Sequence, residues 1–290
     1  MPQQNQPSEP APTIDELTRD YGPDHPRVIA ARLDSADGLG EAGDPVEAVR
    51  LYEELIADCT RIGGPDHEVT LVTRNDHANW VGKAGDEPRA ADLFAALAVD
   101  MERVYGPDDP NTLAVRAGTA GWQLRAGRTD EAARIYDELV PDLVRVLGDD
   151  DPQVLDARAA HAAALRDQGR LEEAVAVYEL LLPAQLRVLG PDDESTGATR
   201  SQLEALRAGA SRSPAEGIGD GANAGVVTID QDPYLAVVGP GRTRGRSAAG
   251  WAVSRHGGAR TAARAGGLGI PDPFRRAGGR RMPADGLSRP

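Results

Sequence analysis

The chain has 290 residues, a formal net charge of −14, 40% apolar residues and only 4% aromatic ones. A single cysteine, Cys59, excludes a disulfide framework and a cysteine zinc cage. No apolar run reaches membrane-spanning length, and the opening MPQQNQPSEPAPT has neither a basic nor an apolar leader region, so a cytoplasmic location is expected.

In chain order, residues 1–20 read as mostly disordered, with a half-repeat helix over 13–20. A short loop motif then recurs: YGPDHP from Tyr21, GGPDHE from Gly63, YGPDDP from Tyr105, LGDDDP from Leu147 and LGPDDE from Leu189. Each start lies 42 residues after the last. Repeat units therefore fall at 21–62, 63–104, 105–146 and 147–188, with a capping helix in 189–210. A fixed period of this size is the signature of a stacked repeat architecture.

Other positions recur in the same frame. Ala48, Ala90, Ala132 and Ala174 are followed four residues later by Tyr52, Phe94, Tyr136 and Tyr178, and three further on by Leu55, Leu97, Leu139 and Leu181. Spacings of i, i+4 and i+7 place each set on one helix face. Gly43, Gly85, Gly127 and Gly169 stand between two helical patterns, where a left-handed residue ends the first helix. Asp109-Pro110 and Asp151-Pro152 read as an N-cap followed by proline in the first turn, and Asp44-Pro45 does the same before a second helix. Each unit is thus a helix of about four turns, a glycine turn, a second helix and a Gly-Pro-Asp loop.

The glycine positions, the Glu-Ala pairs (Glu47-Ala48, Glu131-Ala132, Glu173-Ala174), the aromatic positions and the LGPDDE-type loop resemble the tetratricopeptide repeat family in its longer, kinesin-light-chain-like form. The resemblance covers Tyr21 to about Ala210. It implies an all-α, right-handed superhelical solenoid of antiparallel hairpins whose first helices line a concave groove. It also implies a non-catalytic scaffold that binds a peptide or partner helix there, with no cofactor. The inward positions it points to are Leu33 and Asp37, Asn75 and Asn79, Ala117 and Gly121, and Ala159 and Ala163. Only the second repeat offers a polar pair, so Asn75 and Asn79 are the candidate groove residues, flanked by Lys83 and Arg125. The alanines would leave a smooth floor for apolar side chains.

Two sets of arginines also recur: Arg32, Arg74, Arg116, Arg158 and Arg200, and Arg19, Arg61, Arg103, Arg145 and Arg187. Recurrence in every unit marks them as parts of the scaffold, which either pair with the loop aspartates of a neighbour or bury their stems between layers. His77 and His161 share one repeat position 84 residues apart, too far for a common metal. The loop aspartates lack the spaced ligands of a calcium site and read as caps. Neither GxxxxGK[ST] nor GxSxG occurs, and no nucleophile–base set is visible.

The register vanishes after Ala210. Residues 211–290 hold 16 of the 33 glycines and 12 arginines against 6 acids, whereas the first 210 residues carry 20 basic and 40 acidic groups. That composition is expected for a disordered Gly/Arg-rich tail. It admits nucleic-acid binding by charge, folding back on the acidic body, or a frameshifted reading of GC-rich coding sequence.

Overall fold

The computed structural model describes residues 12–210, and within them every regular element is a helix. They run α1 (Ile14–Tyr21), α2 (Pro26–Glu41), α3 (Pro45–Gly63), α4 (Glu68–Lys83), α5 (Glu87–Tyr105), α6 (Pro110–Arg125), α7 (Thr129–Leu147), α8 (Pro152–Asp167), α9 (Leu171–Val188) and α10 (Glu194–Ala210). Each helix packs on its neighbours in the chain, as in a hairpin stack. The anticipated tail, residues 211–290, lies outside the described residues.

Local chemistry sets the element ends. Positive-φ glycines fall at 22, 43, 64, 85, 106, 127, 148, 169 and 190, one every 21 residues. The 42-residue period therefore contains two turns, each closed by a residue that tolerates the left-handed region. At the helix starts, Asp44 and Asp86 accept from the backbone N–H three residues on, and Asp109 and Asp151 from the one two residues on. His25 and His67 take the same role through an imidazole nitrogen. Arg128 and Arg170 make no such bond, and Asp130, Glu131, Glu172 and Glu173 place negative charge in those first turns instead.

The core follows the recurring positions. All four alanines from Ala48 to Ala174 are inaccessible, and the rings of Tyr52, Phe94, Tyr136 and Tyr178 and the four leucines are buried beside them. Cys59 occupies the buried position held by Met101 and Leu143 in the next units and packs there as a small apolar side chain. In α10 this pattern stops. The buried Ile29, Leu71, Leu113 and Leu155 give way to Gly197, and the buried Ala36, Ala78, Ala120 and Ala162 to exposed Glu204. The face of α10 that in the other first helices meets the following second helix thus lacks their large apolar side chain.

Four arginines of each set bind aspartates. Arg32, Arg74 and Arg116 reach Asp58, Asp100 and Asp142 at 2.7, 2.9 and 3.0 Å. Arg61, Arg103 and Arg145 reach back to the preceding loop, to Asp24, Asp66 and Asp108 at 2.7, 2.6 and 2.6 Å. They also bond Asp58, Asp100 and Asp142, so each of those carboxylates joins two arginines. Arginine hydrogen bonds hold Asp58, Asp100 and Asp142 below the usual carboxylate range. The next aspartate in register would be residue 184, which is alanine. There Arg158 turns to Asp149 at 2.6 Å, and Arg187 keeps only its loop partner Asp150.

Candidate functional site

The first helices α2, α4, α6 and α8 carry the positions expected to line a groove. Leu33, Ala117, Gly121 and Ala163 are buried, so an open apolar floor is not what these residues form. Asp37, Asn75, Asn79 and Ala159 are half-buried. Side chains of the next first helix cover Leu33 and Ala117: Leu33 packs in one cluster with Trp80, and Ala117 in another with Val154, Ala157 and Ala160. The Trp80 ring of α4 lies where a methyl on Gly40 of α2 would be, and the Trp122 ring of α6 lies where a methyl on Gly82 of α4 would be. Glycine at 40 and 82 therefore serves close packing rather than flexibility. At the interface between the third and fourth units both partners change together: Leu124 stands for glycine and Ala164 for tryptophan. The summed volume is thereby roughly kept.

These rings order the polar groups around them. Trp80 Nε1 donates to Asp37 Oδ1 at 2.8 Å, and the Tyr52 hydroxyl donates to the same oxygen at 2.6 Å. One unit on, Trp122 Nε1 donates to Asn79 Oδ1 at 3.4 Å. Asn79 Nδ2 donates to the Asn75 carbonyl at 3.2 Å, and Asn75 Nδ2 donates to Asp76 Oδ1 at 3.2 Å. The two amides are thus brought together but engaged locally. Burial and the nearby Asp37 carboxylate push Asp76 up to about 7, against the hydrogen bond from Asn75 and the Lys83 charge.

Lys83 and Arg125 occupy matching positions at the ends of α4 and α6. The Lys83 ammonium lies 4.0 Å from the Trp80 ring centroid, and the Arg125 guanidinium 4.9 Å from that of Trp122. Both are within cation–π range. Lys83 is exposed as a residue, yet desolvation of its ammonium lowers its pKa, with Asp37, Glu41 and Asp76 opposing that shift. The surface is therefore two tryptophan-backed cations beside an acidic patch of Asp37, Glu41 and Asp76. Among the described residues no group of His, Cys, Asp and Glu is arranged to hold a metal ion. Reading the sequence by repeat positions placed Asp37 on the inward face but missed Trp80 and Trp122. Their signal was the 42-residue recurrence of Trp80 and Trp122, matched by that of Gly40 and Gly82.

Helix pairs in strict register, each packed on its neighbours in the chain, define a helical-repeat solenoid over the described residues. Residues 154–194 match the family model of the tetratricopeptide repeat. The fold is similar to a solved Podosopora anserina structure of nearly identical TPR-like repeats of a putative kinesin light chain, at 22% identity and TM-score 0.57, covering 65% of this chain and 90% of that one. A single-substitution variant of that protein gives TM-score 0.58 at 22% identity, covering 65% and 89%. BtubC (BKLC) from P. vanneervenii is similar at 14% identity and TM-score 0.52, covering 76% and 95%. No curated protein matches the sequence. The chain thus has the tetratricopeptide-like repeat fold in its kinesin-light-chain-like form.

Proposed function

We propose that this protein is a non-catalytic cytoplasmic scaffold that holds a peptide or partner helix against its first helices, with Asn75, Asn79, Lys83 and Arg125 as contact residues. The observation that carries this reading is the pair of cations backed by Trp80 and Trp122 at equivalent places in consecutive units. A ring beneath a long cation limits its freedom, so less entropy is lost when a ligand carboxylate or carbonyl meets it. Repetition of the pair along the stack suits an extended ligand that spans two units. The amides of Asn75 and Asn79 lie close by on α4 and need only a rotation to offer a ligand backbone a donor and an acceptor.

Affinity capture with the full chain, followed by identification of the partner and titration of the purified pair, tests the proposal. Lys83→Ala with Arg125→Ala is expected to weaken binding at least about tenfold, or about 1.4 kcal/mol, while the melting temperature holds. Unchanged affinity sinks the assignment of the site. Removing residues 211–290 separates the alternative of a nucleic-acid-associated protein acting through its basic tail. Salt-sensitive nucleic-acid binding that vanishes with the tail supports that alternative; partner binding that persists without it supports the scaffold.

A further inference from the structure

His77 of α4 and His161 of α8 are buried at the same repeat position. Each has an acidic residue 24 positions earlier, on the preceding second helix: Glu53 on α3 for His77 and Asp137 on α7 for His161. In the third unit, where Thr119 replaces the histidine, residue 95 is alanine. Both histidines are thus paired with a carboxylate at the same offset; in α10, where Leu203 takes the histidine position, Glu179 remains and pairs with Arg207 instead.

An arginine from the following second helix completes each cluster. The charged groups facing His77 are Glu53 from α3 and Arg89 from α5; those facing His161 are Asp137 from α7, Arg170 at the N-cap of α9 and Glu173 in its first turn. The two clusters have opposite geometries. Glu53 lies 2.9 Å from Arg89 and 3.7 Å from His77 Nε2. Asp137 lies 2.9 Å from His161 Nε2 and 3.6 Å from Arg170. Arg170 is satisfied elsewhere, by two bonds to Glu173 at 2.7 and 2.6 Å, which leaves Asp137 to the imidazole. Arg89 has no such second carboxylate within ion-pair distance among the described residues, and it keeps Glu53. His77 Nε2 is left buried without a hydrogen-bond partner.

We propose that Glu53 is a pH-driven latch: protonation of His77 draws its carboxylate off Arg89 and onto the imidazolium, resetting the contact between the first two units. The proton comes from solvent and rests on the imidazole, and Arg89 is released to water. The His161 cluster already holds the imidazole-bound arrangement. A buried imidazole with an unsatisfied Nε2 gains a charge-assisted bond on protonation, whereas Arg89, half-exposed, loses little. The latch thus couples pH to the stacking of α3, α4 and α5.

The test uses the full chain labelled at histidine and arginine side chains and followed by NMR from pH 4.5 to 8. Arg89 Nε–H is expected to shift with the same midpoint as His77 in the parent protein and to stay flat through that range in His77→Gln. Arg89→Gln is expected to raise the His77 midpoint by about one pH unit and Glu53→Gln to lower it. Both of these last changes are at half-exposed side chains, so the readout survives if His77→Gln does not fold. An Arg89 resonance indifferent to the His77 titration, or a His77 midpoint equal in the parent and Arg89→Gln, overturns the latch.

Discussion

Asp142 shows how much one side chain does in this scaffold. Its two oxygens take Arg116 of α6 at 3.0 Å and Arg145 of its own helix at 2.9 Å, and Arg145 continues to Asp108 in the loop before α6. Exposed ion pairs contribute little singly, but this carboxylate links a first helix, a second helix and a loop. Asp142→Ala is expected to cost about 1–2 kcal/mol, read as a lower melting temperature in differential scanning calorimetry. Because Asp142 is held below the usual carboxylate range, its contribution is present near neutrality and fades as pH falls below about 4. Asp76 behaves in the opposite sense. Its folded pKa of about 7 exceeds the ordinary carboxylate value, so the folded state binds the proton more tightly and ionisation destabilises it as pH rises toward 7. Asp76→Asn is therefore expected to stabilise the protein by about 1–2 kcal/mol at pH 7.5 and to change little at pH 4. Equal melting-temperature shifts at both pH values would contradict the assignment.

At the scale of elements, the glycine–tryptophan exchange is the most demanding contact. Glycine inside a helix usually costs about 1 kcal/mol relative to alanine, so Gly82→Ala in isolation would stabilise α4. Here the added methyl overlaps the Trp122 ring. Gly82→Ala is expected to destabilise the chain by about 1–3 kcal/mol. Gly82→Leu with Trp122→Ala, which copies Leu124 and Ala164 of the next interface, is expected to recover most of the loss in a urea unfolding series. A second element-scale effect concerns Pro141, inside α7 and exposed. It removes one helical N–H, and Pro141→Ala is expected to raise stability by up to about 3 kcal/mol. Much of this level was legible in the sequence. The glycine turns and the Ala–aromatic–Leu faces follow from periodicity, because local conformation and one-dimensional stacking set them. The closed floor at Leu33, Ala117 and Ala163 was not legible, because it depends on how near successive first helices come. That distance is set by the volumes at 40, 80, 82 and 122, and periodicity does not weigh volumes. The engagement of Asn79 was hidden for the same reason: its partner Trp122 becomes a neighbour only once α4 and α6 stack.

At the scale of the molecule, the stack reads as a scaffold with graded interfaces. The arginine–aspartate ladder runs through three units and ends where Ala184 replaces aspartate. The tryptophan–glycine contact joins the first three first helices and ends at Leu124 and Ala164. The histidine clusters serve the first and third interfaces only. The surface that combines tryptophan-backed cations with an acidic patch lies on α2, α4 and α6, where ladder and tryptophan contacts coincide. As the proposed contact surface, it would be built on helices rather than loops, which limits the entropy lost on binding. Hydrogen exchange of the full chain, free and saturated with its captured partner, addresses this claim most directly. Slowed exchange over residues 75–83 of α4 and 117–125 of α6 is the predicted result. Protection confined to the second helices α5, α7 and α9, or to residues beyond 210, would contradict it.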